Sequence, residues 1–452
     1  MYTTILIIGA GKSASVLIDF LQKRAVENGW YIIVADGDKS LAEAKWNHSP
    51  NGHAIGINIE QAMDRAQLIQ QATIVISMLP AALHFLVAKD CLNFEKPLFT
   101  ASYVDENMSH LATEIESKKL LFLCEMGLDP GIDHMSAMEL IHRIQKEGGT
   151  ITGFKSHCGG LIAPESDNNP WHYKISWNPR NIILAGKSGA LFLENGITKR
   201  IEYEQIFATT PVIDFPSIGP LAYYPNRNSL TYIDTYQLKQ VRNFIRTTLR
   251  YPAFCSGWDA LIQLGLTSEE YKYDELDLTK KEINAPKKRT VKNWFHNHLQ
   301  QHNAEMLYAN MLQDQQLKEQ LLYIGLEDEI PIPTNLHSNA AILQWLLEQK
   351  WKLADNDKDL VVMMHEITYD NVNKNTSKKD SYLIQSSMVL KGLDHNHTAM
   401  ATSVGLPLAM AVCAYLKGEI TLTGLHIPTH PSIYKPILKS LAAQGIVFKE
   451  KI

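Results

Sequence analysis

The stretch GLDPGIDHM, Gly127 to Met135, follows the apolar run KLLFLCEM directly. It gathers two aspartates, a histidine, a proline and glycines within nine residues. Carboxylates and imidazoles are the groups that move protons, and turn-formers expose them at the end of a strand. Asp129, in the Asp–Pro–Gly turn, reads as a pocket residue. Asp133 reads as the cap of a helix that begins there. A second cluster is GAGKSA, with Gly9, Gly11 and Ala14 in a GxGxxA pattern spanning Lys12 and Ser13. It stands between a strand and a helix, where such a loop cradles a dinucleotide pyrophosphate on backbone N–H groups.

Asp36 ends the next apolar strand. An acid there bonds ribose hydroxyls and repels a 2′-phosphate, so it argues for NAD over NADP. Asp38 is the alternative ribose ligand, and Lys39 softens the discrimination. Ser77, Met78 and Leu79 follow the fourth strand, which should end at the cofactor crevice, beside the nicotinamide ribose. Thr100 to Tyr103 end the following strand on the same rim. Farther on, Arg227 in YPNRNS and Arg246 and Arg250 in RTTLRY offer planar forks suited to several carboxylates. Any one of them reads equally well as a surface residue. His395 and His397 lack zinc-site spacing and HExxH is absent, so a polar loop is expected and no metal.

The elements that must carry these groups alternate. TTILIIGAG, YIIVAD, HAIGIN, ATIVISMLP, KPLFTASYV and LLFLCEM read as six strands separated by amphipathic helices. Continuous apolar strands between helices mean a parallel sheet covered on both faces, the doubly wound α/β pattern, over residues 1–131. Residues 132–255 and 346–397 read as a mixed α+β substrate domain, with alternating stretches such as KDLVVMMHEITYD and SYLIQSSMVLKG. Residues 256–345 are charged and helical, a separate insert. The helix TAMATSVGLPLAMAVCAYLKG is rich in small residues and suited to close packing.

Composition narrows the function classes. The 452 residues allow two or three domains, and the net charge of −5 provides no basic field for nucleic acid or an anionic membrane. No run reaches the length of uninterrupted apolar residues expected of a membrane span. ILIIGA is too short and lacks the basic flank of a signal peptide. Five widely spaced cysteines without CxxC fit a reducing cytoplasm rather than a disulfide framework.

ISMLP, TASY, GLDPGIDHM, HCGG, APESDNNP, YKISW, YPNRNS, TLRY, VVMMH and MATSVGLPLAMA occur in this order across nearly the whole chain. In this the chain resembles the L-glutamate-forming saccharopine dehydrogenases, or saccharopine reductases. The resemblance implies interconversion of saccharopine with glutamate and 2-aminoadipate 6-semialdehyde, with a nicotinamide cofactor, in lysine metabolism. It implies that Arg227 and Arg250 hold substrate carboxylates, with Thr248 and Leu249 making contacts beside Arg250. Ser102, Tyr103 and Asp129 would line the substrate and nicotinamide side of the crevice, and Leu128, Asp129 and Trp177 would border the cofactor. Asp129 is the first candidate for proton transfer, followed by Tyr103 and Cys158.

The family also implies that residues 398–452 return to the dinucleotide domain, and that the mixed sheet forms a homodimer. Lys12 in the glycine loop, Asp36 in place of the basic residue of many fungal relatives, and His157 in place of a tyrosine depart from its pattern. Lys12 could contact a phosphate. NAD is the expected cofactor, with NADP the alternative. Rival readings are an imine reductase of the carboxynorspermidine type and a non-catalytic NAD(H)-binding sensor. The expected partners are small amino-acid substrates alone, in a cytoplasmic enzyme.

Overall fold

The computed structural model describes residues 3–47, 49–270, 289–372 and 379–451. The chain divides into two compact units, Met1–Cys158 with Thr231–Val241 and Lys358–Ile452, and Gly159–Leu230 with Arg242–Asp357. These limits differ from the expected boundaries at 131, 255 and 345. Helix α7 (Ile132–Lys146) lies in the first unit with the dinucleotide sheet, because its face packs on the helix Pro431–Ala442, where the His142 ring meets the Tyr434 hydroxyl at 2.8 Å.

The first unit is built on a parallel sheet. Its strands are β1 (Thr4–Ile8), β2 (Tyr31–Asp36), β3 (Gly52–Gly56), β4 (Ile74–Ser77), β5 (Leu98–Thr100) and β6 (Leu121–Leu123), joined at the edge by β16 (Gly424–His426). The order β16-β6-β5-β4-β1-β2-β3 contains the doubly wound 3-2-1-4-5-6 arrangement, as the alternation in the sequence requires. The strands are apolar along their whole length because both faces are covered: Ile5, Leu6, Ile7 and Ile8 are all buried. Leu6, Val75, Leu98 and Phe122 share one core with Val87, Ala88 and Cys91 of α4 (His84–Asn93).

Helix α1 (Ser15–Asn28) packs on the helix Ala399–Leu416. The contact is close because Gly405 faces the backbone of Leu17. Ala399–Leu416 has the length and mean hydropathy, 1.7, of a membrane span, which the sequence reading did not single out. Most of it is buried inside this unit, so its apolarity is that of a core helix. Its N-terminus is held by the buried carboxylate of Asp359, which accepts N–H bonds from Ala399 (2.6 Å) and Met400 (3.0 Å). A carboxylate there satisfies orphan donors and opposes the helix dipole. Asp359 opens β14 (Asp359–Val372), which pairs antiparallel with β15 (Lys379–Lys391), and β15 pairs with β17 (Lys449–Lys451).

The unit boundary falls within β7 (Thr150–Ile162). The second unit holds β8 (Ala190–Glu194), β9 (Ile197–Ile201), β10 (Val212–Phe215), β11 (Gly219–Pro225), β12 (Arg227–Asn228) and β13 (Asn243–Arg250). Their pairing is mixed: β12 runs parallel to β8, and β11 antiparallel to β13. The described part of 256–345, expected as a separate helical insert, shares one hydrophobic core with this sheet. Trp258, Trp294, Phe295, Leu321 and Leu343 are buried in the same cluster as Trp171, Ala222 and Tyr224. Of the charged stretch read into that insert, 271–288 lies outside the described residues.

Gly405→Ala tests the contact between α1 and Ala399–Leu416. In an exposed helix this change stabilises by about 1 kcal/mol. Here a Cβ would lie 2.9 Å from the Leu17 backbone nitrogen, which cannot rotate away. The expected outcome is a lowered melting temperature, with an overpacking cost of about 1–3 kcal/mol. A raised melting temperature in a thermal-unfolding scan would contradict the contact.

Candidate active site

Parallel strands deliver their C-terminal ends to one edge, and most of the residues singled out in the first unit stand there. Gly9 leaves β1 with φ 105°. A Cβ on it would fall 2.8 Å from the Met78 carbonyl oxygen, so glycine is required for the close approach to the end of β4. Gly11 is the opposite case, with open space within 4 Å of a notional Cβ. Lys12, Ser13 and Ala14 then form a single 3-10 turn leading into α1, and Ala14 is buried. The open approach at Gly11 beside a helix start fits a diphosphate.

Asp36 ends β2 as expected, but its carboxylate turns into the loop. One oxygen accepts the Ala10 N–H at 2.6 Å and the other the Asp38 N–H at 2.9 Å. Asp38, the alternative ribose ligand, caps α2 (Lys39–Trp46) by accepting from Ser40 and Leu41.

Ser77 and Ser102, at the ends of β4 and β5, are joined through a residue the sequence reading missed. The Ser77 hydroxyl meets His84 Nδ1 at 2.8 Å, and the Ser102 hydroxyl meets Nε2 at 2.6 Å. His84 is the first residue of α4 and is buried. Burial outweighs the nearby Asp105 charge and pushes its pKa down to about 4, so the ring is neutral at pH 7. The signal available in the sequence was a histidine seven residues after Ser77, behind the SMLP turn.

Tyr103 and Asp129, the two residues read as catalytic, come together: the phenol donates to Asp129 Oδ1 at 3.2 Å. The Asp129–Pro130 bond is cis. Leu128 is buried, and its carbonyl accepts the Asp133 N–H at 3.0 Å. Asp133 lies two residues beyond the position expected of a cap. It is inside α7, and its carboxylate reaches back to the N–H of Gly131, the residue before the helix, at 2.6 Å. Beneath the turn lies a buried network that the sequence did not reveal. Glu125 Oε2 accepts from the Tyr232 hydroxyl (3.1 Å) and lies 2.7 Å from His134 Nε2, while His134 Nδ1 meets the Tyr236 hydroxyl at 2.5 Å.

The remaining residues belong to the second unit. Arg250 is buried at the end of β13, and its Nη1 donates to the carbonyls of Gly160 (3.1 Å) and Leu249 (3.0 Å). Its guanidinium lies over the rings of Tyr173 and Phe254 at 5.3 and 5.4 Å, a cation–π cradle. Leu249 is buried, and its carbonyl sits so near Gly159 that a Cβ there would come within 2.6 Å. Thr248 stands opposite the buried Tyr224 across β11 and β13. Arg227 is exposed, with φ 53° in the left-handed region. Trp177 donates to the Tyr173 hydroxyl at 3.1 Å. Cys158 is buried at the end of the first unit. His397 lies between Asp394 (3.2 Å) and Asp19 (3.0 Å), and the described residues contain no cluster suited to a metal ion.

Two family models match the chain: the saccharopine dehydrogenase NADP binding domain over residues 5–123, and the saccharopine dehydrogenase C-terminal domain over residues 127–446. The chain is 30% identical to the NADP(+), L-glutamate-forming saccharopine dehydrogenase of Saccharomyces cerevisiae, covering 100% of this chain and 99% of that protein. It is 28% identical to an alpha-aminoadipic semialdehyde synthase of Arabidopsis thaliana, over 99% of this chain but 44% of that protein. Among solved structures, the apo L-glutamate-forming saccharopine dehydrogenase of Saccharomyces cerevisiae superposes with a TM-score of 0.85, 27% identity and 99% coverage of both chains.

The buried His84 makes stability depend on pH. The unfolded chain takes up a proton near pH 6.5, and the folded chain only near pH 4. Between those values the unfolded state binds more protons, so stability falls as pH drops through the window, by up to about 3 kcal/mol. Urea unfolding of the wild type at pH 7 and pH 4.5 should show this loss, and His84→Gln should lose less by about that amount. An equal loss in both proteins would remove His84 as its source.

Proposed function

Because the chain belongs to the saccharopine dehydrogenase family, we propose that it interconverts saccharopine with L-glutamate and 2-aminoadipate 6-semialdehyde in lysine metabolism. The observation that carries this reading is the Tyr103–Asp129 pair, at the strand-end rim that also bears the glycine loop. A proton donor and a carboxylate in contact there suit a secondary amine that must lose or gain a proton as its carbon is oxidised or reduced.

The nicotinamide, when bound, takes or gives the hydride. The Gly9–Ala14 turn and the Ser77–Leu79 loop would hold the dinucleotide, with Ser102, Leu128 and Asp129 at its reactive end and Trp177 bordering it. The Asp129 carboxylate exchanges a proton with the substrate nitrogen, and Tyr103 fixes its orientation through Oδ1. Arg227 and Arg250 take substrate carboxylates, Arg250 being pre-set by the Tyr173 and Phe254 rings, with Thr248 and Leu249 beside it.

For the dinucleotide we propose NADP(H). The NAD reading rested on Asp36, whose carboxylate is turned into the loop with each oxygen accepting one backbone N–H group. Lys39, exposed at the start of α2 where it pairs with Glu43 at 3.4 Å, is a cation near the end of β2 that a 2′-phosphate could recruit. The relatives whose names specify a cofactor specify NADP(+). A homodimer in a reducing cytoplasm completes the proposal; all five cysteines are buried thiols outside any disulfide.

The test is the change in nicotinamide absorbance with saccharopine and either NADP(+) or NAD(+). The expected result is turnover with a higher kcat/KM for NADP(+), and no turnover with either would overturn the reading. Asp129→Asn should lower kcat by about 10²–10⁴-fold with NADPH binding, followed by fluorescence titration, nearly unchanged. Arg250→Ala should raise the KM for saccharopine by about tenfold or more, since a charge-assisted contact contributes about 1.5–3 kcal/mol. An unchanged KM would remove Arg250 from the substrate contacts.

A further inference from the structure

Glu125 stands out on three counts. It is a buried carboxylate. It is a non-glycine residue in the left-handed region, φ 58°, a conformation that must be held by its surroundings. It also bonds the backbone on both sides of Tyr103. Its own N–H donates to the Ser102 carbonyl at 2.9 Å, and its Oε1 accepts the Val104 N–H at 3.1 Å.

These two bonds bracket one residue. With Ser102 C=O and Val104 N–H both tied to Glu125, the peptide groups flanking Tyr103 cannot rotate independently, and the path along which its phenol leaves the backbone is set. The same short segment serves the other partner. Met126 N–H donates to the Thr100 carbonyl at 3.1 Å. Gly127, where a Cβ would come within 3.1 Å of the Ala101 Cβ, takes its N–H to the Pro130 carbonyl at 2.9 Å. Tyr103 and Asp129 are therefore registered against each other by residues 125–127. His134 and Tyr232 engage the other carboxylate oxygen, so Oε1 is aimed at Val104 from beneath.

We propose that Glu125 is a positioning residue that acts through Tyr103, setting the phenol for its contact with Asp129. This rests on the function proposed above and adds to it a residue that touches neither substrate nor cofactor.

A double-mutant cycle on kcat separates the two. Tyr103→Phe alone tests the role of the phenol; full activity in that variant overturns both the role and this inference. Glu125→Ala should lower kcat by about tenfold to a hundredfold, with the KM for the nucleotide within about twofold of wild type. In the Tyr103→Phe background the same change should cost less than about threefold more, because its effect passes through the missing hydroxyl. Glu125→Gln, which keeps an oxygen for the Val104 N–H, should recover most of the loss. If Glu125→Ala does not fold, Glu125→Asp, one methylene too short to reach Val104, takes its place in the cycle. Additive losses, wild-type kcat in the shortened variants, or failure of Glu125→Gln to recover activity overturn the inference while leaving the proposed reaction standing.

Discussion

The parallel hydrogen-bond ladder of the first unit is the constraint on which the site depends. Six strands in the order 3-2-1-4-5-6 end at one edge, and the chain must turn at each end. Residues far apart in sequence become neighbours there without any long-range side-chain interaction to recruit them. Tyr103 and Asp129 are 26 positions apart and meet because β5 and β6 are adjacent. Ser77 and Ser102 are bridged by one imidazole because β4 and β5 are adjacent. The ladder sets the approximate positions, and a few buried polar groups then refine them.

Those polar groups divide the work. His84 stays neutral because the cost of burying a charge outweighs the attraction of Asp105, and a neutral ring can accept at one nitrogen while donating at the other. Glu125 has its oxygens distributed over partners in three chain segments, 104, 134 and 232. A buried carboxylate is costly unless so engaged, and the engagement makes it specific in direction. Arg250 follows the same rule in the second unit, held by two aromatic faces and two carbonyls.

What the sequence made legible follows from these physics. The six strands of the parallel sheet were readable because burial on both faces forces continuous apolar runs. The glycine loop was readable because close approach to Met78 leaves a compositional mark at Gly9. Asp129 and Tyr103 were readable as polar residues at strand ends. His84 and Glu125 were not, since one opens an otherwise ordinary helix and the other is embedded in an apolar run. Their importance lies in partners that only the fold brings near. The edge strand Gly424–His426 is too short to carry a period. The excursion 231–241, which joins the first unit from within residues assigned to the second, has no signal in the local pattern. The segment after residue 256 resembled an independent body because its sequence carries charged runs, while its buried residues Trp258, Trp294 and Phe295 belong to a core shared with Trp171 and Tyr224.

The helix Ala399–Leu416 covers α1, which itself begins at the glycine loop. The Gly9–Ala14 loop is therefore synthesised long before the surface that shields the following helix, which emerges from the ribosome nearly four hundred residues later. Until then Leu17 and its neighbours lack that cover, and an early-made half must wait, partly uncovered, for a helix made late in the chain. Selection on such a chain acts on the lifetime of that waiting state as well as on the finished enzyme.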